Sequence, residues 1–469
     1  MDEFLNNIKS ILGPKGYFEN PIVMAPLLAD MRGKFFGKVP LIARPKSTAE
    51  VSEIVKLCNI HNVAMTPQGG NTGLCAGATP IEENSKKILI NLSRMTNISP
   101  IKDGERSISL EVGATLGNVQ EAASEKGLLF PLSLASEGSC QIGGNISTNA
   151  GGIHVLKYGT MRSMVLGLEV VLPNGGIWNG TSSLLKNTAG YDLKQMFIGA
   201  EGTLGIITKA SLKLFSKPKG MATLLIGSEN LPSLINTYNY LKTDLGEDIA
   251  AFEVFPDNAL NFVLKHIPNT RKPFPLNLPW YGLIEIWGAD QDAYLLEKTL
   301  NPIEKLINKN IILDVLVANS LTQRNEFWKL RESLSEAQKI EGDSIKNDIS
   351  IPPNLVGEFT KLAQTEVKKY MPGIRVTPFG HAGDGNLHFN LMQPKGMAKG
   401  EFFNHQTALK KIVNSLAVKM GGSISAEHGI GRSKRMEFKE FSDPMAYELM
   451  KTVKKALDPS GLMNPGALF

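Results

Sequence analysis

Three separate glycine-rich segments constrain the fold of this 469-residue chain more than any other feature. They are the loop from Pro67 to Leu74, residues 136–152 and residues 187–208. Glycine, serine, threonine and asparagine bring small side chains and backbone N–H groups against a large polar ligand such as a diphosphate. One such loop is often a plain turn, but three in one domain predict an extended cofactor rather than a mononucleotide. The first loop has neither a Walker ending nor a GxGxxG unit.

The residues around these loops predict an α+β domain. Ser47 followed by Glu50 forms a capping box, which predicts a helix over residues 48–60. The apolar stripe of that helix is Val51, Ile54, Val55 and Cys58. The apolar run at residues 164–175 is typical of a buried strand that ends in a turn.

The chain is longer than the roughly 250–300 residues at which one core stops growing, so we expect more than one domain. Strand-like runs at residues 221–228, 280–288 and 311–319 alternate with helical stretches in the second half. This pattern predicts an α+β layer with helices on one face.

Composition and charge narrow the class of protein. A formal net charge of +5, with scattered basic residues, makes nucleic acid a poor partner but suits acidic small molecules. Cys58, Cys75 and Cys140 show no C-x-x-C spacing, which fits a reduced compartment, and we expect a cytoplasmic protein. The N-terminus does not have the pattern of a secretory signal, and no apolar run is long enough to span a bilayer. Any membrane contact would be peripheral.

A second group of residues has the composition of a metal site with a base beside it. Residues 380–390 and 425–432 contain His381, His388, Glu427 and His428. Two imidazoles and a carboxylate suit Zn²⁺, Mn²⁺ or Fe²⁺ and leave positions open for a substrate, as in catalytic metal sites. Alternation along a strand puts His388 and Asn390 on one side. The alternative is a set of hydrogen-bonded core histidines, but the Glu-His pair favours a site.

Two elements between these motifs bear on substrate binding. A single helix is predicted over residues 324–340, with Arg331 on its flank and Ser335 one turn further on. Its core stripe is Phe327, Leu330, Leu334 and Ala337. The guanidinium of Arg331 could hold a carboxylate by two hydrogen bonds, and Lys346 could reach a second one. The alternatives are a surface ion pair and a solvated lysine.

Several motifs resemble, in order along nearly the whole chain, the FAD-linked dehydrogenases of the vanillyl-alcohol-oxidase/PCMH class. They are PQGGNTGL, GSCQIGGNISTNAGG, GYDLKQMFIGAEGTLGIIT, HAGDGNLHFN with AEHGIG, and the terminal DPSGLMNPG. The resemblance implies a two-lobed FAD-binding domain at residues 1–216 and a substrate (cap) domain at 217–420. A C-terminal segment, 421–469, would pack back on the flavin site.

The resemblance also implies which residues bind FAD. They are Pro67, Gly69, Gly70, Asn71, Thr72, Gly73, Leu74, Gly138, Ser139, Gly143, Asn145, Thr148, Gly151, Gly152, Glu201, Gly205, Ile207 and Asn464. The loop from Pro67 to Leu74 has no His, Cys or Tyr that could attack the flavin ring, and His154 and Cys75 only stand near such segments. We therefore expect FAD to be bound without a covalent link.

The activity implied is oxidation of a D-2-hydroxy acid by hydride transfer to flavin N5, with D-2-hydroxyglutarate as the first candidate substrate. In this assignment His381, His388 and Glu427 bind the metal, with zinc as the first candidate, and His428 is the base. The substrate would be held by Arg331, Ser335, Lys346 and Asn390. The family's usual threonine is Ser335 here, which keeps the hydroxyl but loses a methyl group.

Three alternatives stay open. A D-lactate or glycolate dehydrogenase of the same superfamily would share the metal site but would not need a cation at Lys346. A metal-dependent hydrolase without flavin would also fit a His₂Glu site. The third is a non-catalytic FAD-binding subunit, against which His428 argues. Expected partners are the 2-hydroxy acid, an electron acceptor such as an electron-transfer flavoprotein or a quinone, and a second copy in a homodimer.

Overall fold

A computed structural model describes residues 1–81, 86–290 and 292–469. The chain divides into two compact units. The first unit comprises Met1–Gly152, Gly159–Lys217 and Glu427–Phe469, and the second comprises Ile153–Tyr158 and Pro218–Ala426. The sequence-based boundaries fall after residues 216 and 420, and the excursion of residues 153–158 into the second unit was not anticipated. Among the described residues, no helix combines the length and the apolar character needed to cross a membrane.

The strands of the first unit, within the described residues, build two larger sheets and one small pair. One sheet has the order β1-β2-β4-β3, with β4 parallel to β2 and to β3, and the other is antiparallel with the order β5-β9-β7-β8. The pair is β6 with β10. The bounds are β1 Tyr17–Phe18, β2 Ile42–Ala43, β3 Ala64–Gln68, β4 Lys87–Asn91, β5 Ser107–Glu111, β6 Leu128–Leu129, β7 Val165–Val171, β8 Ile177–Gly180, β9 Ile206–Lys213 and β10 Phe215–Ser216.

Helices lie between these strands. The bounds are α1 Asp2–Leu12, α2 Pro21–Leu28, α3 Thr48–His61, α4 Leu116–Glu125, α5 Ile142–Ser147, α6 Val155–Tyr158, α7 Met161–Met164 and α8 Lys194–Phe197, of which α6 belongs to the second unit. The capped helix is confirmed as α3, since the Ser47 side chain accepts a hydrogen bond from the Glu50 N–H. Its four predicted apolar residues are buried. The predicted buried strand is confirmed as β7.

The second unit contains two antiparallel sheets within the described residues. The first has the order β12-β13-β11-β14, and in the second β15, β16 and β17 all pair with β18. The strands are β11 Gly220–Ser228, β12 Ile249–Pro256, β13 Trp280–Gly288, β14 Asp314–Val317, β15 Ser344–Ile345, β16 Asp348–Ser350, β17 Arg375–Phe379 and β18 Asn386–Met392. The helices are α9 Leu231–Leu245, α10 Asp257–His266, α11 Asp292–Asn308, α12 Leu321–Glu332, α13 Leu334–Glu341, α14 Val356–Tyr370, α15 Lys399–Asn404 and α16 Gln406–Lys419. Helices α17 Arg435–Phe441 and α18 Pro444–Leu457 follow in the first unit.

Two predictions for the second unit were wrong. Helices cover both faces of the β12-β13-β11-β14 sheet, because alternate residues of its apolar strands enter two different cores. Leu224 and Ile226 join a core with α9 and α14, whereas Leu225 joins one with α10 and α13. The single helix predicted over residues 324–340 is two helices, α12 and α13, which meet at Ser333.

Candidate active site

A cavity in the first unit brings the three glycine-rich segments together. Twelve predicted FAD-binding residues line it: Pro67, Gly69, Gly70, Asn71, Thr72, Gly73, Gly143, Asn145, Thr148, Glu201, Gly205 and Ile207. The other six predicted residues lie outside the lining: Leu74, Gly138, Ser139, Gly151, Gly152 and Asn464. His428, the predicted base, is also part of the lining. The cavity therefore places an imidazole beside the glycine loops.

The close approach of the first two segments explains why glycine is needed there. A Cβ atom on Gly70 would lie 2.2 Å from the backbone oxygen of Ser139, so any larger residue would force the two loops apart. By contrast, a Cβ on Gly73 or Gly144 would meet no atom within 4 Å and would enter the cavity. The buried Oε1 of Gln141, which also lines the cavity, has no hydrogen-bond partner among the described residues. A lining of small residues and the unsatisfied acceptor of Gln141 fit a large polar cofactor such as FAD.

Glu201 shapes the chain that follows His428. Its backbone has a φ of 50°, and its carboxylate accepts hydrogen bonds of 2.8 Å from the N–H groups of Ile430 and Gly431. A Cβ on Gly429 would lie 2.8 Å from Glu201 Oε1. Burial raises the pKa of Glu201, although these two donors oppose the shift. The contacts fix the residues after His428 and so hold the imidazole at the cavity.

Two other residues of the first unit bear on flavin binding. Asn464 donates hydrogen bonds to the backbone oxygens of Gly77 and Glu201, at 3.1 and 2.7 Å, so it ties the C-terminal segment to the cavity wall. Cys75 lines the cavity, which the sequence did not show. Burial raises the pKa of the Cys75 thiol. A protonated thiol is a poor nucleophile, so this contact leaves the non-covalent prediction in place.

Glu427 and His428 are neighbours in space as well as in sequence. Glu427 Oε1 lies 3.4 Å from His428 Nε2. Both side chains are partly buried. A carboxylate this close to an imidazole can orient the ring.

The two other predicted ligands lie together in the second unit. His381 stands in the turn between β17 and β18, and His388 lies in β18 opposite both Asp348 and Phe379. Their ring centroids are 5.8 Å apart and the ring planes are inclined at 78°. Asp348 adds a carboxylate oxygen 3.8 Å from His388 Nδ1, which the sequence analysis did not single out as a ligand. Asp348 and His388 both belong to a group of side chains that could hold a metal ion, and an imidazole and a carboxylate are donor types that divalent metals accept.

Sequence reasoning missed Glu253, a fully buried carboxylate in β12. Its Oε1 accepts a hydrogen bond of 2.6 Å from His381 Nδ1, and its Oε2 accepts one of 2.6 Å from Arg331 Nε. Burial disfavours the charged form, but the guanidinium of Arg331 and the contact with His381 outweigh burial and lower the pKa of Glu253 to about 2. The carboxylate bound by Arg331 in the structure therefore comes from the protein itself.

The remaining predicted substrate residues differ in their surroundings. Ser335 is exposed on α13, and Lys346 lies partly buried between β15 and β16. Asn390 is buried and donates a hydrogen bond of 2.9 Å from Nδ2 to Gln338 Oε1. Gln338 was also missed; its buried Nε2 has no hydrogen-bond partner among the described residues. The sequence could have singled out Gln338, because it follows the predicted substrate residue Ser335 by one turn of α13.

Comparison with solved structures defines the class of this fold. A crystal structure of p-cresol methylhydroxylase with substrate bound matches with a TM-score of 0.77 over 99% of this chain and 96% of that one, at 14% identity. The predicted α+β fold of the PCMH type is confirmed.

Sequence comparison gives the family. Residues 217–468 match FAD linked oxidases, C-terminal domain, and residues 39–181 match an FAD binding domain. A D-2-hydroxyglutarate dehydrogenase of Stutzerimonas stutzeri is 38% identical over 93% of this chain and 92% of its own. A putative mitochondrial D-lactate dehydrogenase of Schizosaccharomyces pombe is 33% identical over 97% and 88%. The chain belongs to the FAD-linked oxidase family. This confirms the prediction of an FAD-dependent dehydrogenase that acts on a CH–OH donor.

Proposed function

We propose that this protein oxidises a D-2-hydroxy acid, with D-2-hydroxyglutarate, converted to 2-oxoglutarate, as the first candidate. The observation that carries the proposal is the presence of His428 in the lining of the cavity built by the glycine-rich segments. A base is needed there because oxidation of an alcohol removes a proton from the hydroxyl group as well as a hydride from carbon. The name of the Stutzerimonas stutzeri relative agrees with this substrate.

The chain's own residues then bind, orient and deprotonate the substrate. FAD, when bound, supplies a two-electron acceptor, and a divalent metal, with zinc as the first candidate, supplies a Lewis acid. His381, His388 and Glu427 are the proposed metal ligands. His428 takes the hydroxyl proton, which contributes on the order of 10²–10⁴-fold in rate. Arg331 and Asn390 orient the C1 carboxylate, Ser335 supplies a hydroxyl, and Lys346 binds the distal carboxylate.

A D-lactate or glycolate dehydrogenase is the second candidate, because one relative carries a D-lactate dehydrogenase name. The two candidates differ at the distal end of the substrate, where only the dicarboxylate uses Lys346. A hydrolase without flavin is excluded by membership of an FAD-binding family. The electron acceptor, a homodimer and a cytoplasmic location stay predictions, and the Schizosaccharomyces pombe relative is named as mitochondrial.

Anaerobic reduction of the flavin tests the proposal directly. Purified protein is mixed with a panel of D-2-hydroxy acids and their L-enantiomers, and bleaching of the yellow flavin band is followed by stopped-flow absorbance. We expect D-2-hydroxyglutarate to reduce the flavin fastest and the L-acids to leave it oxidised. Faster reduction by D-lactate would favour the second candidate, and no reduction by any of the acids would refute the proposal.

A His428→Asn variant separates proton removal from cofactor binding. We expect wild-type flavin content with a rate of flavin reduction lowered by about 10²-fold or more. Replacement of His405, which bonds the exposed Tyr370 hydroxyl at 2.9 Å, provides a control. His405→Asn should reduce flavin at the wild-type rate. Equal rates in both variants and the wild type would remove His428 from the mechanism.

A further inference from the structure

Glu253 is held rigidly beside the turn that carries His381. Val254, the next residue in β12, exchanges two backbone hydrogen bonds of 3.0 Å with Gly380. Gly380 directly precedes His381, so this bridge brings the Glu253 side chain against the imidazole. The φ of Gly380 is 153°, and a Cβ there would lie 2.5 Å from the Asn386 oxygen. Backbone geometry, rather than a flexible side chain, therefore sets the contact.

The carboxylate of Glu253 has two different partners on its two oxygens. His381 Nδ1 lies 2.6 Å from Oε1, while Arg331 Nε and Nη2 both lie 2.6 Å from Oε2. An ionised carboxylate only accepts hydrogen bonds, so the proton must be on His381 Nδ1. The lone pair is then on Nε2, which is the nitrogen able to bind a metal. On the other side, the guanidinium is also supported by the Phe379 ring, 5.0 Å from its carbon.

We propose that Glu253 is a positioning residue that fixes the tautomer of His381 and the orientation of Arg331 with one buried carboxylate. The inference rests on the proposed function, since it takes His381 as a metal ligand and Arg331 as a substrate-binding residue. A carboxylate that accepts a hydrogen bond from a ligating histidine raises the basicity of that ligand. Loss of such a partner typically costs roughly 10–100-fold in metal affinity. Glu253 thereby links metal binding to substrate binding.

A purely structural ion pair is the competing explanation, and the chain offers a matched example of one. Glu285 in β13, the strand next to β12, is equally buried. It accepts hydrogen bonds from Arg324, Trp287 and Trp328, none of which is a predicted site residue. Both glutamates are thus buried carboxylates paired with an arginine in one sheet, and they differ in whether a predicted ligand is their partner.

The test compares Glu253→Gln with Glu285→Gln in the full-length flavoprotein. The zinc dissociation constant is measured by competition with a fluorescent zinc chelator, together with flavin content and the thermal midpoint. For Glu253→Gln we expect zinc binding weakened by roughly 10–100-fold and an increased KM for D-2-hydroxyglutarate, with unchanged flavin content. For Glu285→Gln we expect a lower thermal midpoint with wild-type zinc affinity. Glu253→Asp, which keeps the charge, should restore part of the zinc affinity and covers the case in which the glutamine variant fails to fold.

The outcomes separate this inference from the proposed function. Unchanged zinc affinity in Glu253→Gln, or equal losses in both glutamine variants, would overturn the inference and leave the proposed function standing. A Glu253→Asp variant that folds but binds zinc no better than the glutamine variant would also count against it. A wild-type protein that binds no zinc would overturn the metal assignment, and the inference with it.

Discussion

Lys346 is the residue proposed to bind the distal carboxylate, so we expect substrate length to depend on it. It lies where the pairing of β15 and β16 with β18 is interrupted, between Ile345 and Asn347. Asn347 is anchored there, because its backbone oxygen and its Nδ2 both bond to Phe389, at 2.8 Å each. The backbone around Lys346 is therefore fixed on both sides, which favours a defined position for its ammonium group.

Replacement of Lys346 with methionine should discriminate between a dicarboxylate and a monocarboxylate. Loss of a hydrogen bond to a charged group costs about 1.5–3 kcal/mol. We therefore expect kcat/KM for D-2-hydroxyglutarate to fall roughly tenfold or more, with little change for D-lactate. Steady-state kinetics with both acids measure the difference.

Lys339 provides the matched control for this experiment, because it is an exposed lysine on α13. Lys339→Met should leave both acids unaffected. An equal loss for the two acids in Lys346→Met would assign a structural role to Lys346 instead.

At the scale of residues, the sequence identified candidate functional side chains but not their hydrogen-bond partners. His381, His388 and His428 stand in glycine-rich motifs, and such motifs are visible in the chain itself. Glu253 lies 128 positions before His381, inside an apolar strand where one acidic residue carries no local signal. The pairing of Val254 with Gly380 brings it to the histidine. For the same reason the sequence offered a substrate carboxylate or a surface ion pair for Arg331, and not a buried glutamate.

At the scale of elements, two loops of the first unit form one binding surface through direct backbone contact. A Cβ on Gly70 would lie 2.2 Å from the backbone oxygen of Ser139, in the segment at residues 136–152. Gly70→Ala should push the loops apart, and overpacking of this kind costs about 1–3 kcal/mol. We expect roughly tenfold weaker FAD binding, measured by fluorescence titration of the apoprotein. Gly400→Ala in α15, where a Cβ meets nothing within 4 Å, is the control. Equal FAD affinity in both variants would contradict the steric argument.

A cluster around Glu341 joins three elements of the second unit. Glu341, in α13, accepts hydrogen bonds from Lys265 and His266 of α10, at 2.8 Å each, and from Arg375 of β17 at 2.9 Å. The hydrogen bonds from Lys265 and His266 lower the pKa of Glu341 from 4.5 to about 2. A lowered pKa means that the charged form stabilises the folded state above pH 4.5 and that this contribution is lost as the pH falls toward 2.

Glu341→Gln should therefore destabilise the protein near neutral pH and much less in acid. Because the cluster is partly open to solvent, we expect a loss of only about 1 kcal/mol at pH 7. Urea unfolding at pH 7 and at acidic pH gives the comparison, and the gap between variant and wild type should narrow as the pH falls. Glu448→Gln, which removes an exposed pair with Lys451, is the control. A gap that widens in acid would reverse the sign of the argument.

Elements were predicted well where the signal is local. The residues of the α3 capping box lie within a few positions of one another, and so do the residues of the apolar run of β7. The break between α12 and α13 has no proline or glycine to mark it, so periodicity alone suggested one helix. Helices on the second face of the β12-β13-β11-β14 sheet could have been expected, because its strands are apolar on both faces.

At the scale of the whole molecule, each unit is assembled from distant parts of the chain. In the first unit, Met65 of β3 exchanges backbone hydrogen bonds of 2.8 and 2.7 Å with Leu462 and Asn464. In the second unit, residues 153–158 add Ile153 and Leu156 to the two cores, and the ring centroids of His154 and Trp287 lie 4.1 Å apart. Six residues are too few to give a periodic sequence pattern, so the sequence did not reveal this excursion. The fold, by contrast, was predicted from the order of the motifs.

The division into units predicts that the two cofactors can be removed separately. The residues that line the proposed FAD cavity all belong to the first unit. Of the proposed metal ligands, His381 and His388 belong to the second unit, and Glu427 belongs to the first but is not part of the cavity lining. A chelator should therefore stop turnover while the flavin stays bound, and added zinc should restore the rate. Acid precipitation should then release a yellow supernatant, because burial raises the pKa of the Cys75 thiol and a protonated thiol is a poor nucleophile. Metal analysis and absorbance spectra follow both steps. Flavin lost together with the metal would argue against separate binding, and colour retained in the acid pellet would argue against non-covalent FAD.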